Sequence, residues 1–114
     1  MWIMHPSFGF LSVVQKAEDP SHILTVRARS RNHLEEFLHP FDDEYPVIEG
    51  AGTDYAFRAK VPLSVVREKM IHAVENIDYS NFKDECKKRG QPKSWLRRLA
   101  NIWREHFQFQ QQGG

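Results

Sequence analysis

The sequence predicts an α+β fold: a four-stranded, mainly antiparallel sheet from two strand-strand-helix units, helices on one face, and a C-terminal helix completing the core. Three observations carry this expectation. The pattern Val26-Arg27-Ala28-Arg29 returns 31 residues on, from position 26 to position 57, as Phe57-Arg58-Ala59-Lys60. Each copy is followed closely by a stretch whose apolar residues recur at the helical period. Successive strand side chains also point to opposite faces, which sorts Leu24, Val26 and Ala28 from Thr25, Arg27, Arg29 and Arg31. The second copy sorts the same way, with Tyr55, Phe57, Ala59 and Val61 against Ala56, Arg58 and Lys60.

The elements follow in order. Phe8 to Lys16 is a strand apolar on both parities, the pattern of a strand covered on both sides. The polar stretch 17–22, with Pro20, turns the chain into a second strand, Ile23 to Arg31, and the two make a hairpin. Asn32 is the expected cap of a short helix, with Glu35 reaching back to it. Leu34, Phe37, Leu38 and Phe41 form its apolar stripe, and Pro40 limits its length. A second hairpin joins 45–50 to the strand Asp54 to Pro62 through Gly50-Ala51-Gly52-Thr53, whose glycines permit positive φ angles. Ser64 is expected to cap the next helix, with Val66, Met70, Ala73, Val74 and Ile77 inward and Arg67, Glu68, Lys69, His72 and Glu75 in water.

Ser80 is expected to cap a brief basic helix, 81–89, that Gly90 stops. After Pro92 and Ser94, the last helix carries Leu96, Leu99, Ala100, Trp103 and Phe107 at the helical period, broadened by Trp95 and Ile102. Arg97, Arg98, Asn101 and Arg104 lie opposite. Burying two tryptophans would tie this helix into the fold. Residues 108–114, rich in Gln and Gly, are expected to form a disordered tail, leaving one domain over 1–107.

A chain of 114 residues is large enough to bury about two thirds of its unfolded surface without staples. Its single cysteine, Cys86, excludes an internal disulfide framework and fits a reducing compartment, so the expected location is cytoplasmic. The apolar opening, 1–14, has no basic leader and contains His5 and Pro6. No apolar run approaches the ~20 residues of a membrane span, so no membrane partner is expected.

Net charge is +1, but it is unevenly spread. From Lys83 to Arg104 eight cations face two anions, Asp84 and Glu85, giving +6, so the remainder sums to −5. Asp42-Asp43-Glu44 and Glu18-Asp19 supply much of that balance. The basic neighbours of Cys86 (Lys83, Lys87, Lys88 and Arg89) would favour its thiolate. The histidines are scattered without i, i+4 spacing, and no metal site or cofactor is expected. No catalytic residues are assigned.

The expected binding surface is the face carrying Arg27, Arg29, Arg31, Arg58 and Lys60, extended by Lys87, Lys88, Arg97, Arg98 and Arg104 of the basic C-terminal segment. Cations spaced along a rigid sheet suit regularly spaced phosphates. Since no exposed aromatics interleave with these cations in the sequence, phosphate or carboxylate contacts are expected rather than base reading.

Met1-Trp2 with Phe8-Gly9-Phe10, the Val26-Arg27-Ala28-Arg29 strand, Gly52-Thr53-Asp54-Tyr55 with Phe57-Arg58-Ala59, and Ile77-Asp78-Tyr79-Ser80-Asn81-Phe82-Lys83-Asp84 together resemble a group of short, uncharacterised single-domain bacterial proteins. The likeness spans roughly residues 1 to 104 and implies no activity. The residues themselves favour a small non-enzymatic binding module, an accessory factor or inhibitor, docking on nucleic acid, a nucleoprotein complex or an acidic protein. One alternative is a protein interaction module using the aromatic C-terminal helix. The other is a metal-independent ribonuclease in which Tyr55, Tyr79 or His22 moves the proton.

Overall fold

The computed structural model describes residues 1–50 and 54–114; part of the Gly50-Ala51-Gly52-Thr53 loop therefore lies outside the described residues. The chain divides into two compact units, Met1–Asp78 and Tyr79–Gly114. The first is α+β, with β1 (Trp2–His5), β2 (Gly9–Val14), β3 (Ile23–Ala28), α1 (Arg31–Leu38), β4 (Ile48–Glu49), β5 (Phe57–Pro62) and α2 (Leu63–Glu75). Among the described residues the strands form one sheet of order β1-β2-β3-β5-β4, antiparallel at every pairing.

The sheet thus has one strand more than the four expected. Trp2 to His5 folds back on Gly9 to Ser12 through a tight turn at Pro6-Ser7-Phe8. In that turn the His5 ring stacks on Phe8 with centroids 4.0 Å apart, and its Nδ1 accepts from the Ser7 amide at 3.0 Å. The two repeated units are present as β2-β3-α1 and β4-β5-α2, although β4 is only two residues long.

The core lies between the sheet and its two helices. Leu11, Val13, Val26, Ala28, Ala59 and Val61 project from the strands onto Leu34, Phe37 and Leu38 of α1 and Val66 of α2. Each large apolar side chain buried here contributes about 1.5–3 kcal/mol, so this layer dominates the stability of the unit. Phe8 meets the Phe37 ring edge to face at 5.1 Å.

A close approach fixes the β2 end of the core. Gly9 has φ +66°, and a Cβ there would lie 2.3 Å from Nε2 of His33. Only glycine combines that backbone angle with that proximity. The His33 ring is buried, and its Nδ1 accepts the Phe10 amide at 3.2 Å.

Helix boundaries depart from the expected ones in ways that local chemistry explains. Strand β3 stops at Ala28, and Ser30, not Asn32, caps α1 by accepting the His33 amide. Arg31 therefore belongs to the first turn of α1. Leu63 opens α2 directly after Pro62, with no side-chain cap, so Ser64 sits inside its first turn. The predicted α2 stripe holds only in its first half: Val66 is buried, but Val74 and Ile77 are 65% and 56% exposed.

The second unit contains α3 (Phe82–Lys88) and α4 (Lys93–Gln111). Asn81, rather than Ser80, caps α3 by accepting the Asp84 amide at 3.0 Å. Gly90, at φ +85°, ends it. Helix α4 runs through Gln108 to Gln111, into the stretch expected to be disordered; glutamine is a good helix former and nothing interrupts the helix before Gln112. Leu99 is buried, yet Trp103 is 54% exposed and stacks on Phe107 at 5.2 Å, so burial of both tryptophans does not hold. No helix among the described residues is long and apolar enough to cross a membrane.

Candidate binding surface

The face of the sheet opposite the helices is set by register. Trp2 pairs with Ser12, Ser12 with Arg27, Arg27 with Arg58, and Arg58 with Ile48. Directly opposed residues of antiparallel strands share a face, so Trp2, Ser12, Arg27, Arg58 and Ile48 form one row across all five strands. Met4 and Phe10 make a neighbouring row on one side, and Val14, Thr25 and Lys60 one on the other.

The five expected cations separate into three groups. Arg27 and Arg58 stand directly opposite each other at the centre of the sheet, where like charges repel at close range. Arg27 donates from Nη2 to Ser12 Oγ at 2.8 Å, and its Cζ lies 4.5 Å from the centre of the Tyr55 ring. Its Nε is buried with no hydrogen-bond partner among the described residues.

Arg29 follows the end of β3 and covers two rings, Tyr55 at 4.1 Å and Phe10 at 5.9 Å. It also approaches Asp54 at 3.4 Å, but the two side chains are 54% and 70% exposed. An ion pair so open to water contributes about 0–1 kcal/mol and exchanges readily for another anion.

The other two cations are occupied elsewhere, a correction to the expected patch. Lys60 bonds to Asp19 at 2.6 Å and to Thr25 Oγ1 at 2.8 Å, with Glu18 at 3.4 Å. The Asp19 carboxylate is almost fully covered and also accepts from the Lys16 amide and the Thr25 hydroxyl. The Lys60 and Thr25 hydrogen bonds hold its pKa down at about 2. This cluster ties the 16–19 turn to β5 and is structural. Arg31 has left the face altogether: its guanidinium lies over Phe57, on the helix side of the sheet, and pairs with Glu35 at 3.2 Å and Glu49 at 3.0 Å. The strand ends too early to hold it.

In their place the fold adds aromatics that the sequence pattern did not show. Trp2 is 73% exposed and meets Phe10 edge to face at 5.5 Å. Tyr55, expected on the core face, precedes β5 and escapes its alternation; it is buried, 3% exposed, with its ring against Arg27 and Arg29. Trp2, Phe10, Arg29, Tyr55 and Arg27 thus form a continuous ladder of rings and guanidinium groups. The one legible signal was the short alternation Trp2-Ile3-Met4-His5 ahead of a turn, enough to place Trp2 and Met4 on one face.

Lys87, Lys88, Arg97, Arg98 and Arg104 are exposed on the second unit. Arg104 donates to Asn101 at 3.1 Å. Cys86 is buried, and burial raises its pKa, so the thiolate-favouring effect of its basic neighbours does not prevail.

The residues proposed for ribonuclease chemistry are not gathered in the first unit. His22 precedes one end of the β3–β5 ladder and Tyr55 lies beyond the other, six register pairs away, or about 20 Å at the strand rise. A cleft of about 390 Å³ beside α2 is lined by Phe41, Val65, Lys69 and His72 among others. Lys69 there donates to the His39 carbonyl, and burial lowers its pKa. No three His, Cys, Asp or Glu side chains among the described residues converge to hold a metal ion.

Comparison with protein-family models, curated proteins and solved structures returned no match.

Proposed function

We propose that this chain is a non-enzymatic binding module that docks on nucleic acid through the sheet face centred on Arg27 and Arg58. The observation that carries the reading is the register row: two arginines at directly opposed positions on neighbouring strands, with Arg29 following on β3's end and sharing the Tyr55 ring with Arg27. Cations at directly opposed register positions can be bridged by one phosphate, whose oxygens accept from paired guanidinium donors. Met1–Asp78 as a whole carries eight cations and twelve anions, so attraction is local to this face and not a long-range field.

The test is fluorescence anisotropy of the full chain with labelled oligonucleotides across a salt series. Affinity should fall log-linearly with salt, with a slope of roughly −0.7 to −0.9 for each phosphate neutralised. Arg27→Glu should weaken binding and flatten that slope. An affinity indifferent to both salt and Arg27→Glu defeats the reading.

A second reading has its own observation. The stacked, exposed Trp103 and Phe107, with Lys83 Nζ 4.9 Å from the Trp103 ring, give α4 an aromatic face suited to a partner protein. Binding through that face should hardly respond to salt and should be lost with Trp103→Ala.

A further inference from the structure

Building on the nucleic-acid reading of the sheet face, we infer that its ligand is single-stranded, with an unpaired base stacking on Trp2 while the adjoining phosphates meet the arginines. Scattered exposed apolar residues are ordinary on any surface, and an edge-strand tryptophan alone would carry nothing. Trp2 differs by position. It shares a register row with Ser12, Arg27 and Arg58, three interstrand spacings from Arg58, or about 14 Å.

The indole is also held. Phe10 packs against it in a T-shaped contact at 5.5 Å with the rings 75° apart, while Trp2 stays 73% exposed. Met4, 40% exposed, adds soft apolar surface beside it. The rim of the face is therefore aromatic and apolar, whereas its centre is cationic.

That division suits a strand whose bases are splayed from its backbone. A duplex buries its base faces in its own stack and offers only phosphates and groove edges, leaving Trp2 unused. An unpaired nucleotide offers a π face for the indole and a phosphate for the guanidinium groups within one reach of the chain. Arg29 supports the same geometry: stacked over Phe10 and Tyr55, it can release its exposed Asp54 contact for a phosphate. Ring stacking is tolerant of base identity, so broad sequence acceptance is expected, with RNA and DNA strands both bound.

The experiment measures the full chain, Trp2→Ala, Trp2→Phe and Arg27→Glu against one mixed-sequence 20-mer, presented as single-stranded RNA, single-stranded DNA and the matching DNA duplex. The expected result is at least tenfold preference for the single strands. Trp2→Ala should weaken single-strand binding about ten- to a hundredfold, the loss typical of one stacked base, while Trp2→Phe keeps most of it. Quenching of tryptophan fluorescence on binding should shrink in Trp2→Phe.

Equal affinity for duplex and strand, with Trp2→Ala unchanged but Arg27→Glu defective, overturns the single-strand inference and leaves the nucleic-acid reading standing. No binding to any oligonucleotide overturns both. A concentration-dependent dimer in sedimentation that Trp2→Ala abolishes, without any change in oligonucleotide affinity, assigns Trp2 to self-association through the β1 edge and also overturns the inference.

Discussion

Replacing Gly9 with alanine tests the core in its tightest place. Two costs can be worked from the structure. At φ +66° an L residue enters the left-handed region, at about 1–2 kcal/mol. The new methyl would also stand 2.3–2.4 Å from Nε2, Cδ2 and Cε1 of His33, well inside contact distance, and forcing an extra methyl into a packed site typically costs about 1–3 kcal/mol. The ring has little freedom to retreat, because it is 8% exposed and accepts the Phe10 amide. The sum is about 2–5 kcal/mol, a large share of a small domain's stability. Urea unfolding of Gly9→Ala, His33→Ala and the double variant separates the two terms. With the imidazole removed, adding the alanine should cost only the backbone part, about 1–2 kcal/mol. A Gly9→Ala penalty below about 1 kcal/mol, or one of equal size with and without the imidazole, would refute the reasoning.

Two pH dependences follow from the same unit. Burial lowers the His33 pKa below 6.5, so the unfolded chain takes up a proton that the native state resists. The resulting stability is whole above pH 6.5 and drains away as pH falls from there toward the depressed native value; chemical denaturation between pH 7 and 5 should show this slope, reduced in His33→Gln. Asp19 titrates lower: its pKa falls from 3.8 to about 2, so the stability from the Lys60–Thr25–Asp19 cluster is present above pH 3.8 and lost as pH drops toward 2. Asp19→Asn should remove that acid dependence and destabilise the chain at neutral pH, measurable by thermal unfolding across the same range.

What the sequence made legible was periodic. The alternation in 24–29 and 57–60 placed Arg27 and Arg58 on one face and Val26 and Ala59 on the other, as the register has them. Gly90 and Pro40 also mark helix ends correctly, because their chemistry is local. The two hairpin pairings were legible as well, but the β1–β2 pairing and the charge partners were not. Whether Lys60 is open depends on Asp19, 41 residues away, and whether Arg29 is open depends on Asp54. Trp2 became part of the face only through β1 folding onto β2, a tertiary event that leaves four residues of weak alternation in the chain, whereas Phe10 reaches it by β2's own alternation with Ser12. Tyr55 was assigned to the other face because alternation was extended back beyond the start of β5.

The longest ladder in the sheet joins β3 to β5, whose facing ends, Ala28 and Phe57, are separated by α1 and β4. During synthesis β3 therefore emerges well before the strand that completes it. Until Pro62 has left the ribosome, one side of β3 offers bare amide and carbonyl groups, flanked by the apolar Leu24 and Val26. A nascent chain paused in that interval is the form most prone to pair with a neighbour.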